Sequence, residues 1–266
     1  MLKNYWRALL QDWHYFWESL EERRNAAIRD KLRVHNAQEL LERYARGERD
    51  FIRASLTKAD LRGVDLSGAC LTKAFLKGAD LRGANLIGAT FDYYTDLEGV
   101  LIDEHTQLDP KWRTVWELVN LPLVKGRQLP GADLARTQLT GVHLQRANLT
   151  GADLTETCLD EAELQEANLE GAILREARFV SANLRGANLR GADCRETKLF
   201  DANLCDADLR EAKLQKANLI EALLVSADLR GADLREADLD GANWKGANLE
   251  GAVFTGATMP DGSIHD

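Results

Sequence analysis

The chain repeats itself every five residues, and no other feature narrows its fold as far. "GADLREADLDGANWKGANLEGA", residues 231 to 252, shows the unit: Ala, then Asp or Asn, then a large apolar residue, then two variable positions. A period of five fits neither the 3.6 of a helix nor the 2 of a strand. With the large apolar residue taken as the centre, one run steps from Phe51 to Phe91. A second steps from Leu129 to Met259 without a slip, and Ile264 keeps its register. Ala stands two places before most centres, as at Ala59, Ala69, Ala132, Ala147 and Ala252. Such self-similarity is the mark of a solenoid. Five residues are too few for a helix or a hairpin but enough for one side of a coil, a short strand followed by a tight turn. Leu and Ala then point inward and the three polar or Gly positions outward.

The stretches "ADLRGANL", "ANLTGADL" and "ADLREADL" resemble the A(D/N)LXX pattern of pentapeptide-repeat proteins, over roughly two thirds of the chain. The resemblance implies an all-β solenoid, a right-handed quadrilateral β-helix with four units and twenty residues per coil, so that residue n lies beside n+20. It narrows to the cyanobacterial type through "ELLERYARGERDF", residues 39 to 51, which is similar to the segment that precedes the repeats in that group. One coil buries four large side chains at about 2 kcal/mol each. Fixing its backbone costs on the order of 20 kcal/mol. Coils must therefore stack, and the stack ends need covers.

The sequence divides into four parts: 1–50, an N-terminal helical segment and cap; 51–91, a first array; 92–128, an insertion with one helix; and 129–264, a second array. In the cap, Asn36 and Glu39 have capping-box spacing. Leu40, Leu41 and Tyr44 make one face, and Gly47 ends the helix. Before it, Trp6, Leu9, Leu10, Trp13 and Trp17 follow helical spacing and form an aromatic stripe, a candidate self-association or partner helix. In the insertion, Leu97 and Ile102 are expected to continue the coil after a one-residue bulge. "LDPKWRTVWELVN" then reads as a helix with Asp109 at the N-cap and Pro110 at N1, docked by Trp112, Val115, Trp116 and Val119. At the far end, Trp244, Phe254 and Met259 replace Leu where the stack needs a lid.

No set of residues suggests catalysis. The five histidines are scattered, the four cysteines show no metal-like spacing, and Leu and Ala fill the interior and leave no pocket. No catalytic residue, metal site or cofactor is expected. Net charge is −9, which argues against direct nucleic-acid binding. Charge is uneven: residues 129–266 carry 14 basic and 24 acidic residues, whereas 51–91 carry 6 and 3. No apolar run reaches the roughly 20 residues of a membrane span. Nothing at the N-terminus reads as a secretory signal, and the expected location is cytoplasmic.

Read as columns of n and n+20, most outward positions are Arg, Glu, Thr or Gly. One corner differs. Val180, Phe200, Cys205, Ile220, Leu223 and Val225 fall together there as a candidate protein interface. The expected function is a non-enzymatic interaction scaffold. It would bind an unidentified protein partner through an exposed face of the β-helix or through the aromatic helix, with a homodimer possible. The alternative is a DNA-mimicking inhibitor or protector of DNA gyrase, which some family members resemble. The basic column Arg190, Arg210, Arg230 speaks against it.

Overall fold

Backbone hydrogen bonding explains the five-residue grammar. The computed structural model describes residues 33–121 and 124–266. Within it each centre opens a turn: the Ala132 N–H donates to the Leu129 carbonyl at 3.2 Å, and Gly131 between them has φ 65°. A left-handed third residue is the signature of a type II turn. The next three donors reach neighbouring coils. Asp153 N–H bonds Ala132 O at 2.9 Å, Leu134 N–H bonds Asp153 O at 2.8 Å, and Arg136 N–H bonds Thr155 O at 2.8 Å. One N–H per unit is left, that of the residue after the centre. The Asp or Asn side chain two places earlier accepts it, as Asn148 Oδ1 does from Thr150 N–H and Asp228 Oδ1 from Arg230 N–H, both at 3.2 Å. Asp and Asn recur in that place because a short side-chain oxygen closes the local turn.

The expected all-β solenoid is corrected by this geometry. Among the described residues there is no β-strand and no sheet, only two short helices. Coils meet through isolated one-residue parallel bridges, such as Asn148 with Asn168 and Asn168 with Asn188. With a turn on either side, each unit holds a single residue in bridging position. A strand of the usual five or six residues has no room in a unit of five. The right-handed quadrilateral β-helix of the sequence reading thus gives way to a stack of turns joined by single bridges. Leu and Ala from both arrays nonetheless share one buried core.

The first end is covered by α1, Ala37–Ala45. Asn36 Oδ1 accepts from Glu39 N–H at 2.9 Å, and Glu39 Oε2 answers at His35 N–H at 3.0 Å. Leu40 is fully buried, and Tyr44 Oη donates to Ser67 O at 2.8 Å. Gly47, at φ 91°, follows the helix end.

The first array runs on past Phe91. Phe75 bridges Asp96 and Asp80 bridges Leu101, which places Leu97 and Ile102 in the coil after one extra residue. A second extra residue follows, since Asn85 bridges Gln107. Both insertions are built alike. Asp92 and Thr95 bond each other at 3.1 Å, Asp103 and Thr106 at 2.9 Å, and each Thr is buried. The Asp carboxylates replace carbonyls displaced by the bulges, accepting from Lys73 N–H at 2.8 Å and Gly83 N–H at 2.9 Å.

Helix α2, Pro110–Asn120, closes the end of the first array and touches the start of the second. Trp112 meets Phe91 edge to face at 5.1 Å between centroids, and Trp116 Nε1 donates to Val100 O at 2.6 Å. Asn120 spans the last turn, donating to Leu97 O at 3.0 Å and accepting from Gly99 N–H at 2.7 Å. Toward the second array, Lys111 Nζ meets Asp133 at 2.8 Å. Trp112, Val115 and Leu118 are its buried residues. Asp109 makes no side-chain cap bond; its Oδ2 accepts from Gly88 N–H at 3.1 Å.

At the C-terminal end Trp244 and Phe254 meet edge to face at 5.8 Å. The chain then doubles back, with Met259 N–H bonding Ser263 O at 2.7 Å and Gly256 N–H bonding His265 O at 2.7 Å.

Candidate functional site

Residues on either side of a centre point outward when the centre points in, as in a pleat. The structure puts Phe200 and Leu223 at the surface, 37% and 39% exposed, and leaves Val180, Cys205, Ile220 and Val225 half-buried. Val180, Phe200 and Ile220 follow the buried centres Phe179, Leu199 and Leu219 at twenty-residue steps. Leu223 and Val225 flank Leu224, and Cys205 follows Leu204, on the adjoining side of the coil. Their backbones are satisfied locally. Asp160 Oδ1 accepts from Val180 N–H at 3.0 Å, Asn203 Oδ1 from Cys205 N–H at 3.1 Å, and Asn218 Oδ1 from Ile220 N–H at 3.1 Å. The side chains are therefore free of any duty to the turn.

The corner between these two rows is acidic. Ser181, Asp201 and Glu221 occupy its left-handed positions, and Ser181 Oγ donates to Asp201 Oδ2 at 2.9 Å. Glu161 precedes them in the same row, and Asp206, one corner further along the coil, bonds Arg185 at 3.1 Å. An apolar cluster edged by carboxylates fits a partner that brings apolar side chains with basic ones beside them.

Other surface features fall where sequence reasoning did not look. Phe75, Tyr94 and Leu101 are more exposed than Phe200. A concavity of about 580 Å³ lies between α2, the bulge and the second array, lined by Tyr94, Leu118 and His143 among others. A second, of about 650 Å³, lies at the N-terminal end among Arg33, Arg53 and Lys73. Both adjoin parts outside the regular repeat, and they correct the expectation of a surface without pockets. The stripe Trp6, Leu9, Leu10, Trp13, Trp17 lies outside the described residues.

Arg175, Arg195 and Arg235 pair with Asp residues of the repeat. Arg175 and Arg195 share Asp193, each at 2.7 Å, and Arg235 bonds Asp233 at 2.6 Å. Glu156 pairs with Arg136 at 2.8 Å. The basic column is neutralised in place: Arg190 by Glu211 at 3.0 Å, Arg210 by Asp208 at 2.5 Å, Arg230 by Asp228 at 2.7 Å. Binding through a face of a β-helix falls with the sheet, since no sheet face exists among the described residues. The gyrase alternative, which drew on the same rod, falls with it.

Little reactive chemistry is on offer. Burial pushes the Cys194 thiol up to about 12, and burial with a Cys158 hydrogen bond pushes the Tyr93 phenol up to about 12. Among the described residues no group of His, Cys, Asp and Glu could hold a metal ion. No described helix is long and apolar enough to cross a membrane.

The pentapeptide-repeats family matches in eight copies, over residues 50–72, 59–92, 128–164, 162–199, 187–224 and 232–261. No curated protein matches the chain. Among solved structures, the chain is similar to HetL, a pentapeptide repeat protein involved in heterocyst differentiation regulation from the cyanobacterium Nostoc sp. strain PCC 7120. Identity is 32%, over 86% of this chain and 99% of that one, with a TM-score of 0.27. It is similar to a pentapeptide repeat protein of the Arabidopsis thaliana thylakoid lumen at 33% identity, over 43% of this chain and 69% of that one, TM-score 0.22. It is also similar to full-length QnrB1, a plasmid-mediated fluoroquinolone resistance protein, at 17% identity over 75% and 93%, TM-score 0.27.

Proposed function

The chain belongs to the pentapeptide-repeat family, and we propose that it is a non-catalytic scaffold that offers a corner of its stacked turns to a protein partner. The family is in general one of non-catalytic scaffolds. The observation that carries the reading is the corner cluster. Phe200 and Leu223 are exposed beside Ile220, at places where a side chain has no part in closing the turn. Apolar side chains there do not close the turn, and a contiguous apolar patch facing water is commonly an interface. The acidic corner row adds the chemistry of the partner, apolar with basic neighbours. We place the protein in the cytoplasm, where its four free cysteines stay reduced.

The test is one double variant, Phe200→Ser with Ile220→Ser, used as bait beside the unaltered protein in extracts of the source cell. A partner retained by the unaltered protein is purified and its affinity measured against both. Stability should move by no more than about 1 kcal/mol. Affinity should fall by about 2 kcal/mol or more if these are buried anchors. Equal affinity for the variant would remove the corner from the interface.

A further inference from the structure

We infer that the concavity at the N-terminal end of the stack is a binding site for a multiply charged phosphoryl anion. The inference does not rest on the corner cluster. Arg33, Arg49, Arg53 and Lys73 converge on a space of about 650 Å³. None of the four has a carboxylate within ion-pair distance among the described residues. The second array behaves oppositely. All ten of its arginines, from Arg136 to Arg235, sit on an Asp or Glu. A chain with net charge −9 has acids to spare, so leaving four cations together without them is a local departure.

Three of these cations are held instead by ring faces. The Arg49 guanidinium lies 3.6 Å from the Tyr44 centroid, Arg33 lies 5.0 Å from Phe75, and Lys73 Nζ lies 4.7 Å from Tyr94. Ring faces fix a cation's position without consuming its charge or most of its donors. The hydrogen bonds these side chains do make go to neutral acceptors: Arg49 to the carbonyls of Tyr44 and Glu48, Arg33 to Ser55 Oγ. Arg33 Nε is buried and has no hydrogen-bond partner among the described residues. The two acids on the rim are already occupied. Glu48 bonds Arg43 at 2.8 Å, and Asp50 Oδ1 accepts from Ile52 N–H at 3.2 Å.

Guanidinium forks match phosphate oxygens in pairs, and four charges exceed what one carboxylate can balance. A diphosphate, or two phosphates on one segment, meets both conditions. The phosphate could be free or borne by a peptide. Titration calorimetry on the full chain with inorganic pyrophosphate, and separately with a doubly phosphoserine-bearing peptide, distinguishes the two sources. Saturable binding of one molecule per chain is expected for at least one probe, with the tighter probe naming the source. Arg53→Gln with Lys73→Gln, both exposed or half-buried, should weaken it by about tenfold or more at unchanged thermal stability. Arg235→Gln, far along the second array, should leave it unchanged. The inference is overturned by absence of saturable binding of either probe, by equal binding to the double variant, or by equal loss in Arg235→Gln.

Discussion

Each unit of five is decided by two residues that the chain would not otherwise tolerate together: one that accepts a left-handed backbone, and one whose side chain replaces a carbonyl. Gly191 shows the first with nothing to confuse it. Its φ is 64°, and a Cβ built there would meet nothing within 4 Å. Gly191→Ala therefore tests backbone strain alone and should lower stability by about 1 kcal/mol, read from the denaturant midpoint. No loss would mean that the turn relaxes without cost. Many equivalent places carry Glu, Lys or Arg at φ 55–61°, so the stack already carries strain of this kind and offsets it in its core. Ala187 tests that core. It is fully buried at mid-array, and Ala187→Leu should overpack its layer by about 1–3 kcal/mol. An unchanged thermal midpoint would show slack beside the Ala column.

At the scale of elements, α2 is the part whose role is least visible from its own sequence. Its helical stretch is legible from Pro110 and the spacing of Trp112, Val115 and Trp116. Its position is not, because that depends on which carbonyls and N–H groups the first array leaves open. Asn120 answers two of them, at Leu97 O and Gly99 N. Asn120→Ala strands both and should cost about 1–3 kcal/mol, whereas removing a surface amide without partners would cost almost nothing. Chemical denaturation of the variant decides between them. The second bulge escaped the sequence reading because Leu108 restores an apolar centre after it. The signal was present, since "DYYT" at 92–95 and "DEHT" at 103–106 share an Asp and a Thr three apart, and those are the pair that closes each bulge. Strands were over-read for a different reason. A period of five fixes which side chains turn inward but not how many residues bridge between turns, and here the number is one. The exposure of Phe200 and Leu223 was legible from the same period; the half-burial of Val180, Cys205, Ile220 and Val225 was not. The basic concavity was not, because Arg33, Arg49, Arg53 and Lys73 come from cap and array together and converge only once α1 is in place.

For the whole molecule, the carboxylates that close turns make its stability depend on acid in a defined direction. Asp208, Asp228 and Asp233 are held below the usual carboxylate range chiefly by hydrogen bonds from Arg210, Arg230 and Arg235. Asp60 is lowered to about 2, first by its Arg62 hydrogen bond. Asp65 and Asp103 are lowered first by backbone N–H groups, of Ser67 and Gly83. In each case the folded chain binds its proton more weakly than the unfolded one. The stabilisation is then complete above the unfolded value near 3.8 and is lost as pH falls through the lowered values. Because the same contact recurs along the stack, the losses fall in one narrow window rather than at scattered values. The thermal midpoint should be level from pH 7 to about 5 and drop steeply between about 4 and 2. Added salt should change the backbone-held pair, Asp65 and Asp103, less than the arginine-held set, since exposed ion pairs are screened. Thermal melts at pH 7, 5, 3.5 and 2.5, each at low and high salt, give both readings. A decline that begins near pH 6 would place the responsible groups outside the turn-closing carboxylates. A level midpoint down to pH 2.5 would show that the turns hold without them.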